Sequence, residues 1–330
     1  MIENNLEFLK TAVRDKTTWN LTDYYNICYN FLSFIDSTHP TRIVSPVRQN
    51  SHYIFYQYST EVSHRITRPL NTNLFIEFPL DFKNAFESVM AFLADLKLDH
   101  EDVNNKASSQ FYLLAKPINK VVYTIQQSIG CIGDAFEDPN QTRKRIGQLF
   151  ETLVKLLIQE VGLVCEPRTI NIPIPNYPGY TMSYELDVVF SHNKAILTSD
   201  AEHKYIHPSE IVGSVKTTSK DRIDKIFLDK YLLTKLLERE IPVVAIFLHD
   251  VQRATVKKDL EHSGDRHFNI ASTFKTNHFL GYTVALNGLD GVYYVDPRPD
   301  MLVNERLREQ ISDFQTFLTK DLWVFSRSSR

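Results

Sequence analysis

Six consecutive apolar residues, Val243-Val-Ala-Ile-Phe-Leu248, follow directly on Pro242 and on a helical pattern that runs from Asp221 to Glu240. A run this short and this uniformly apolar reads as a strand covered on both faces, as at the centre of a sheet with helices on either side. The helical pattern before it carries Ile223, Ile226, Phe227, Tyr231, Leu232, Leu236 and Leu237 along its length. Together these segments predict an α/β (α+β) architecture with a central mixed sheet flanked by helices.

The strands expected beside that centre each carry one group that a buried strand should avoid. In Ser183–Phe190 it is Asp187, set before Val188-Val189-Phe190; in Ile211–Thr217 it is Lys216, set after Val215. A charge in an apolar run needs a partner or a task, because isolated burial of an ionised group is costly. Prolines at 167, 173, 175 and 178 forbid a long helix through Ile170–Tyr180. The segment from Arg145 to Gly162 reads as a helix, with Asp138 or Asn140 as its cap, and places Glu151 near an inward face. Phe279–Leu286 and Gly291–Val295 read as further strands and Glu305–Leu318 as a terminal helix.

A boundary is expected near Glu137. It separates a mainly helical N-terminal region, 1–137, from a core over 138–330. The first part holds an aromatic strand-like run, Tyr53–Tyr58, followed by Arg65 and Arg68. Three cysteines, Cys28, Cys131 and Cys165, are far apart and odd in number, so neither a zinc pattern nor a disulfide framework is expected. With no signal-peptide pattern at the start and no apolar run able to span a bilayer, the expectation is a cytoplasmic protein without a membrane partner. A formal net charge of -3 argues against a non-specific coat on nucleic acid, but leaves room for a basic cleft that also holds carboxylates.

A carboxylate and a lysine on adjacent strands fit metal-dependent phosphodiester hydrolysis. That reaction needs an activated water, charge neutralisation at phosphorus and protonation of a leaving oxygen. A divalent ion held by carboxylates, Mg²⁺ above all, supplies much of this, and a nearby ammonium helps to orient the water. Asp187 and Lys216 are the minimum pair, with Asp229 on the helix after Lys216 and Glu151 on the earlier helix as further carboxylates.

This arrangement resembles the PD-(D/E)xK nuclease superfamily, and within it the type II restriction endonucleases that read sites with CC and GG halves. Ser214-Val215-Lys216 carries the small residue two places before the lysine, and Lys220-Asp221-Arg222 is a basic-acidic-basic triplet at the place where that branch reads bases. The resemblance covers roughly 140–300. It implies Asp187 as the metal-binding aspartate, Lys216 as the catalytic lysine, Asp229 as an acidic group moved from the strand to the helix, and Glu151 as the helix glutamate. It further implies a homodimer acting on double-stranded DNA. Two positions depart from the pattern: Leu186 stands where a proline is usual, and Lys220 where an arginine is expected, without the planar fork that grips guanine.

Glu202-His203-Lys204 is a rival, a literal E-x-K in a polar, turn-rich segment; Lys216 is preferred for its buried strand and the triplet that follows. In that segment, His203 and His207 are candidates for touching phosphate. Two other classes keep the same sheet: a repair or recombination nuclease with structural preference, and an inactive DNA-binding scaffold. Tyr53–Tyr58, Arg65 and Arg68 are candidates for contact with flanking DNA.

Overall fold

The structure, a computed structural model, describes residues 5–45, 52–58, 65–101, 117–192, 205–220, 222–254 and 268–327. The sequence expectations at 202–204 and Asp221 lie outside them. Two compact units are present, one over 1–91, 117–150 and 250–273, the other over 92–116, 151–249 and 274–330.

The first unit opens with helices α1 (Leu6–Asp15) and α2 (Leu21–Thr38). Asn20 starts α2 in a reciprocal cap: its side chain accepts from the Asp23 amide while Asp23 accepts from the Asn20 amide. Four short strands follow, β1 (Thr41–Val44), β2 (Tyr53–Tyr58), β3 (Arg65–Ile66) and β4 (Leu70–Asn71), with β1, β3 and β4 each antiparallel to β2. Helix α3 (Pro79–Glu101) and helix α4 (Pro117–Gly133) come next; α3 runs from this unit into the second. The Tyr53–Tyr58 run is core here, not a DNA-contact surface. Tyr53, Tyr56 and Tyr58 are buried, and the Tyr58 hydroxyl donates to the Cys131 carbonyl. Arg68 is likewise committed to structure: its guanidinium grips both oxygens of Asp134 at 3.0 Å.

Helix α5 (Pro139–Glu160) begins where Asp138 accepts the amides of Asn140 and Gln141, so Asp138 is the cap. The second unit is built on six strands: β5 (Val164–Pro173), β6 (Thr181–Ser191), β7 (Ile211–Thr218), β8 (Val243–His249), β11 (Gly291–Asp296) and β12 (Ile311–Asp313). Their order across the sheet is β12-β11-β8-β7-β6-β5. The first four strands are mutually parallel and the β7–β6 and β6–β5 pairs antiparallel, so the sheet is mixed. Strand β8, buried at every position, lies between parallel neighbours. Helix α6 (Ile223–Leu237) makes the crossover from β7 to β8 and packs Ile226, Phe227, Leu233 and Leu237 into the core on one face of the sheet. The expected α/β architecture is therefore present. The ribbon β9 (Val251–Ala254) and β10 (Asn269–Ser272) belongs to the first unit, where Val251 and Ile270 pack with Tyr53 and Phe55.

Two secondary-structure expectations fail. Phe279–Leu286 is not a strand but the body of helix α7 (Thr276–Ala285), which buries Phe279 against Phe227 and Phe274. The terminal helix does not run through Glu305–Leu318. Asn304 instead caps a turn by accepting the Arg306 and Leu307 amides, β12 takes the free edge of β11, and Asp313 starts a new helical run. Phe317–Asp321 in that run is a π-helical turn.

One buried ion pair ties β5 to the approach of β7. Arg168 donates two bonds of 2.7 Å to Glu210, which also accepts the His207 amide at 2.8 Å. The Glu210 side chain is 5% exposed. Removing the guanidinium leaves that carboxylate buried without its counter-charge, so Arg168→Ala should cost about 3–5 kcal/mol. The check is a urea titration followed by circular dichroism, in which the unfolding midpoint of the second unit should drop.

Candidate active site

The site is made by a defect in strand pairing. Strand β6 pairs with β5 along its length, but the register slips: Glu166 faces Val189 while Arg168 faces Leu186. Between those pairs β5 offers only Pro167 and β6 offers both Asp187 and Val188, which is a β-bulge. Pro167 has no N–H to give the ladder, so the bulge sits where a bond was already missing. The bulge resets the alternation of β6. Tyr184 and Leu186 on one side of it, and Val189 on the other, all enter the same core.

Pairing with β7 ends at the same place. Only Val188, Val189 and Phe190 face Gly213, Val212 and Ile211, and beyond them β7 continues against β8. The two strands part like a fork. At its apex the Val215 amide donates to Asp187 Oδ2 at 2.8 Å, where a sheet would have offered a backbone carbonyl. The Ser214 hydroxyl donates to the same oxygen at 3.2 Å and the Lys216 ammonium at 2.5 Å.

Lys216 also donates to Glu151 Oε1 at 3.2 Å, so one ammonium holds two carboxylates. Residues 214 and 216 share one face of β7 while Val215 between them is fully buried, which is how a strand brings a lysine to a cleft and keeps its core contact. Side-chain exposure is 30% for Lys216, 28% for Glu151 and 15% for Asp187, enough to reach solvent and too little for full hydration. Burial pushes the Glu151 carboxyl above its ordinary value, and the Asp187 charge pushes it the same way; Lys216 opposes both.

A cleft of about 560 Å³ opens at the fork between β6, β7 and α6. Asp187 and Lys216 line it, and so do Arg222 and Asp229. Asp229 is not in the lysine-bridged pair. It sits on the α6 wall and accepts from Lys225 at 2.8 Å. Arg222 is exposed at the start of α6, and Lys220 is exposed before it with its amide on Thr218 Oγ1 at 3.3 Å. Glu202, His203 and Lys204 lie outside the described residues. His207, once a phosphate candidate, shapes its own turn, with Nδ1 2.7 Å from Ser209 Oγ.

Sequence reasoning missed Lys225, Tyr184 and Lys230 as cleft-lining residues. Lys225 had a signal: it lies three residues after Arg222 and four before Asp229, one helical face. Tyr184 had none. Its hydroxyl, 3.3 Å from Met182 Sδ, has its pKa pushed up to about 12 by burial and then by the Asp229 charge. Lys230 is buried and donates to the Gly288 carbonyl at 2.5 Å and Asp290 at 2.7 Å, while Asp290 also accepts the Val243 amide. That cluster fixes α6 against the start of β8.

The donor set at the apex is two carboxylates, both hard oxygen ligands. Mg²⁺ is commonly bound by one or two carboxylates, with water and phosphate filling the remaining positions. Among the described residues no group of three or more His, Cys, Asp or Glu is placed to hold an ion. The fit is therefore to an ion shared with water and substrate, not to an all-protein cage.

With this geometry in hand, a solved structure of the type IIP restriction endonuclease Kpn2I is similar to the chain, with a TM-score of 0.64 at 18% identity over 98% of each chain. The chain has the restriction-endonuclease fold. A complex of the restriction endonuclease PspGI with substrate DNA also matches, at a TM-score of 0.37 and 16% identity over 73% of this chain and 92% of that one, a likeness too slight to add to the assignment. No protein-family profile and no curated protein matches the sequence.

A raised carboxyl binds its proton more tightly in the folded chain than in the unfolded one. Glu151 therefore favours folding below the ordinary carboxylate range, and that contribution is lost as pH rises through its raised value. Glu151→Gln keeps an acceptor for Lys216 and removes the charge. In metal-free buffer its melting temperature should exceed that of the parent at pH 7–8, and the gap should close as pH falls toward 4.

Proposed function

We propose that this protein is a type II site-specific deoxyribonuclease that hydrolyses double-stranded DNA with Mg²⁺ as cofactor. The observation that carries the reading is the Lys216 ammonium shared between Asp187 and Glu151 at the fork of β6 and β7. The likeness in fold to Kpn2I, described as a type IIP restriction endonuclease, supports it.

In this reading Asp187 and Glu151 hold the ion, and Asp229 on the α6 wall acts through water. Bound there, Mg²⁺ would offset phosphate charge and acidify a coordinated water. Lys216 keeps the two carboxylates together until substrate arrives, then orients the attacking water and offsets charge on the phosphate. Ser214 and the Val215 amide hold Asp187 in one orientation throughout. One such centre per chain, and two strands to cut, favour a homodimer on a near-palindromic site. Sedimentation equilibrium of the protein on its cleaved sequence should give two copies per duplex; one copy would refute the dimer.

Base reading is assigned to Lys220, Asp221 and Arg222, on a site with CC and GG halves. Arg222 donates to guanine O6 and N7, Asp221 accepts from cytosine N4, and Lys220 supplies a further guanine donor. Arg222 lines the same cleft as Lys216, which supports its part in this.

Plasmid DNA with Mg²⁺ should be cut into discrete fragments, and Lys216→Ala should lower the rate by at least about 10²-fold. Lys204→Ala should leave the rate close to the parent's; the reverse pattern would move the centre to Glu202–Lys204. Unspecific degradation would favour a repair nuclease, and intact plasmid an inactive binder. Mapping the cut ends should reveal paired CC and GG elements. Arg222→Ala should lose about 1–3 kcal/mol of discrimination at one guanine position, read from kcat/KM on cognate and substituted duplexes. Unchanged preference in that variant would remove Arg222 from the reading surface.

A further inference from the structure

The turn joining β5 to β6 projects two aromatic side chains that the core does not use. Tyr177 is 63% exposed and Tyr180 is 69% exposed. They are held by a rigid turn. Asn176 and Gly179 take left-handed backbone conformations, with φ of 66° and 84°, and bracket Tyr177-Pro178. Three backbone bonds close the tip: the Tyr177 amide to the Ile174 carbonyl, the Tyr180 amide to Tyr177, and the Ile174 amide to Tyr180.

The same hairpin is free of charge over a long stretch. Thr169 to Tyr184 contains no Asp, Glu, Lys, Arg or His, although the chain has 40 acidic and 37 basic residues. One face of it packs Ile170, Ile172 and Tyr184 into the core. The other face is exposed and carries small hydrogen-bonding groups, with Asn171 opposite Ser183 and Thr181 opposite Pro173. Glu185, opposite Thr169, is the first carboxylate on this face, so the outer part of the hairpin does not repel a polyanion. Hydroxyl and amide groups of Tyr, Ser, Thr and Asn are common donors to the DNA backbone.

Strand β6 connects this tip directly to the centre. Tyr180 precedes Asp187 by seven residues, which at about 3.3 Å per residue is roughly 23 Å. Laid along the axis of a duplex, at about 3.4 Å of rise per base pair, that reach corresponds to about seven base pairs.

We infer that the β5–β6 hairpin is a flank-binding arm, in which Tyr177 and Tyr180 hold the backbone of duplex DNA about seven base pairs from the scissile phosphate. This rests on the nuclease reading of the site at Asp187 and Lys216. The arm reaches DNA outside the bases read by Arg222, so it contributes affinity and register and no sequence preference. Because it is uncharged, it displaces no counterions.

The test uses the whole protein and duplexes carrying the cleavage sequence mapped on plasmid, with either 3 or 15 base pairs beyond each cut. For the parent, KM should be about tenfold lower on the long duplex, the size expected of two net hydrogen bonds. In the variant carrying Tyr177→Ala and Tyr180→Ala the ratio of the two KM values should fall to about one. The slope of log affinity against log salt on the long duplex should match the parent's. Both positions are solvent-exposed, so the substitutions leave the core intact. Discrete cleavage by the parent with equal KM on both duplexes overturns the inference and leaves the nuclease reading standing. A shallower salt slope in the variant overturns it also, since the contact would then involve ions. So does a loss of dimer in sedimentation, which would make the tip a protein contact. If the parent gives no discrete plasmid cleavage, the nuclease reading falls and the arm with it.

Discussion

Pro167 cannot donate a backbone hydrogen bond, and the strand opposite it spends two residues, Asp187 and Val188, where β5 spends one. Much of the second unit's chemistry depends on that mismatch. A regular ladder would have carried β6 alongside β7 for its full length and would have closed the space between them. The bulge instead turns β6 away after three pairs and sends the Asp187 carboxylate into the gap, where it takes the Val215 amide. A charged group thus satisfies a backbone donor that the parting strands would have left bare. The energetic need of the ladder and the chemical need of the site are met by one oxygen atom.

The other wall of the cleft is fixed by a second buried charge. Lys230 holds Asp290 and the Gly288 carbonyl, and Asp290 holds the amide that begins β8. Helix α6 therefore cannot rotate without breaking a bonded ion pair in the interior, a change that typically costs several kcal/mol. That restraint sets the direction in which Arg222, Lys225 and Asp229 project from the helix. The same logic applies to Arg168 and Glu210 at the entry to β7. Buried charges in this unit sit at the junctions between strands, where they fix geometry that apolar packing would leave free to slide.

The sheet centre, α6 and the two charged strands were legible because their signals are local. An all-apolar run, a 3.6-residue stripe and a lone charge among valines each need only a short window. The resemblance singled out Asp187, Glu151 and Lys216 one by one, and the structure brings their side chains within hydrogen-bonding distance. Tertiary competition decided the rest. Phe279 to Leu286 is rich in aromatic and β-branched residues and reads as a strand, yet Phe279 finds Phe227 and Phe274 only on a helix. Residues 305–318 have helical composition, but the open edge of β11 and the caps at Asn304 and Asp313 divide them. Arg68 looked like a free cation because Asp134, its partner, lies 66 residues away. The bulge was invisible because register belongs to a pair of strands, and Pro167 acquires its meaning only from what stands opposite.

Charge on the two sides of the cleft is arranged in opposite senses. At the apex two carboxylates share one ammonium, a local surplus of one negative charge that burial makes costly, as the raised Glu151 carboxyl records. The α6 wall presents Arg222 and Lys225, both outward, with Asp229 beneath. Under the proposed function these opposed signs have separate tasks. A polyanion approaching the cleft is attracted by the helix wall and by Lys216, while the carboxylates would repel its phosphates. A divalent cation held by Asp187 and Glu151 would resolve the conflict, since it would relieve the surplus at the apex and attract the phosphate that the carboxylates push away. Lys216 alone cannot do both, since each bond it makes to a carboxylate is one it withholds from the phosphate. The site's electrostatic strain without a cation is thus the physical basis for expecting that DNA and metal bind with positive coupling at this fork.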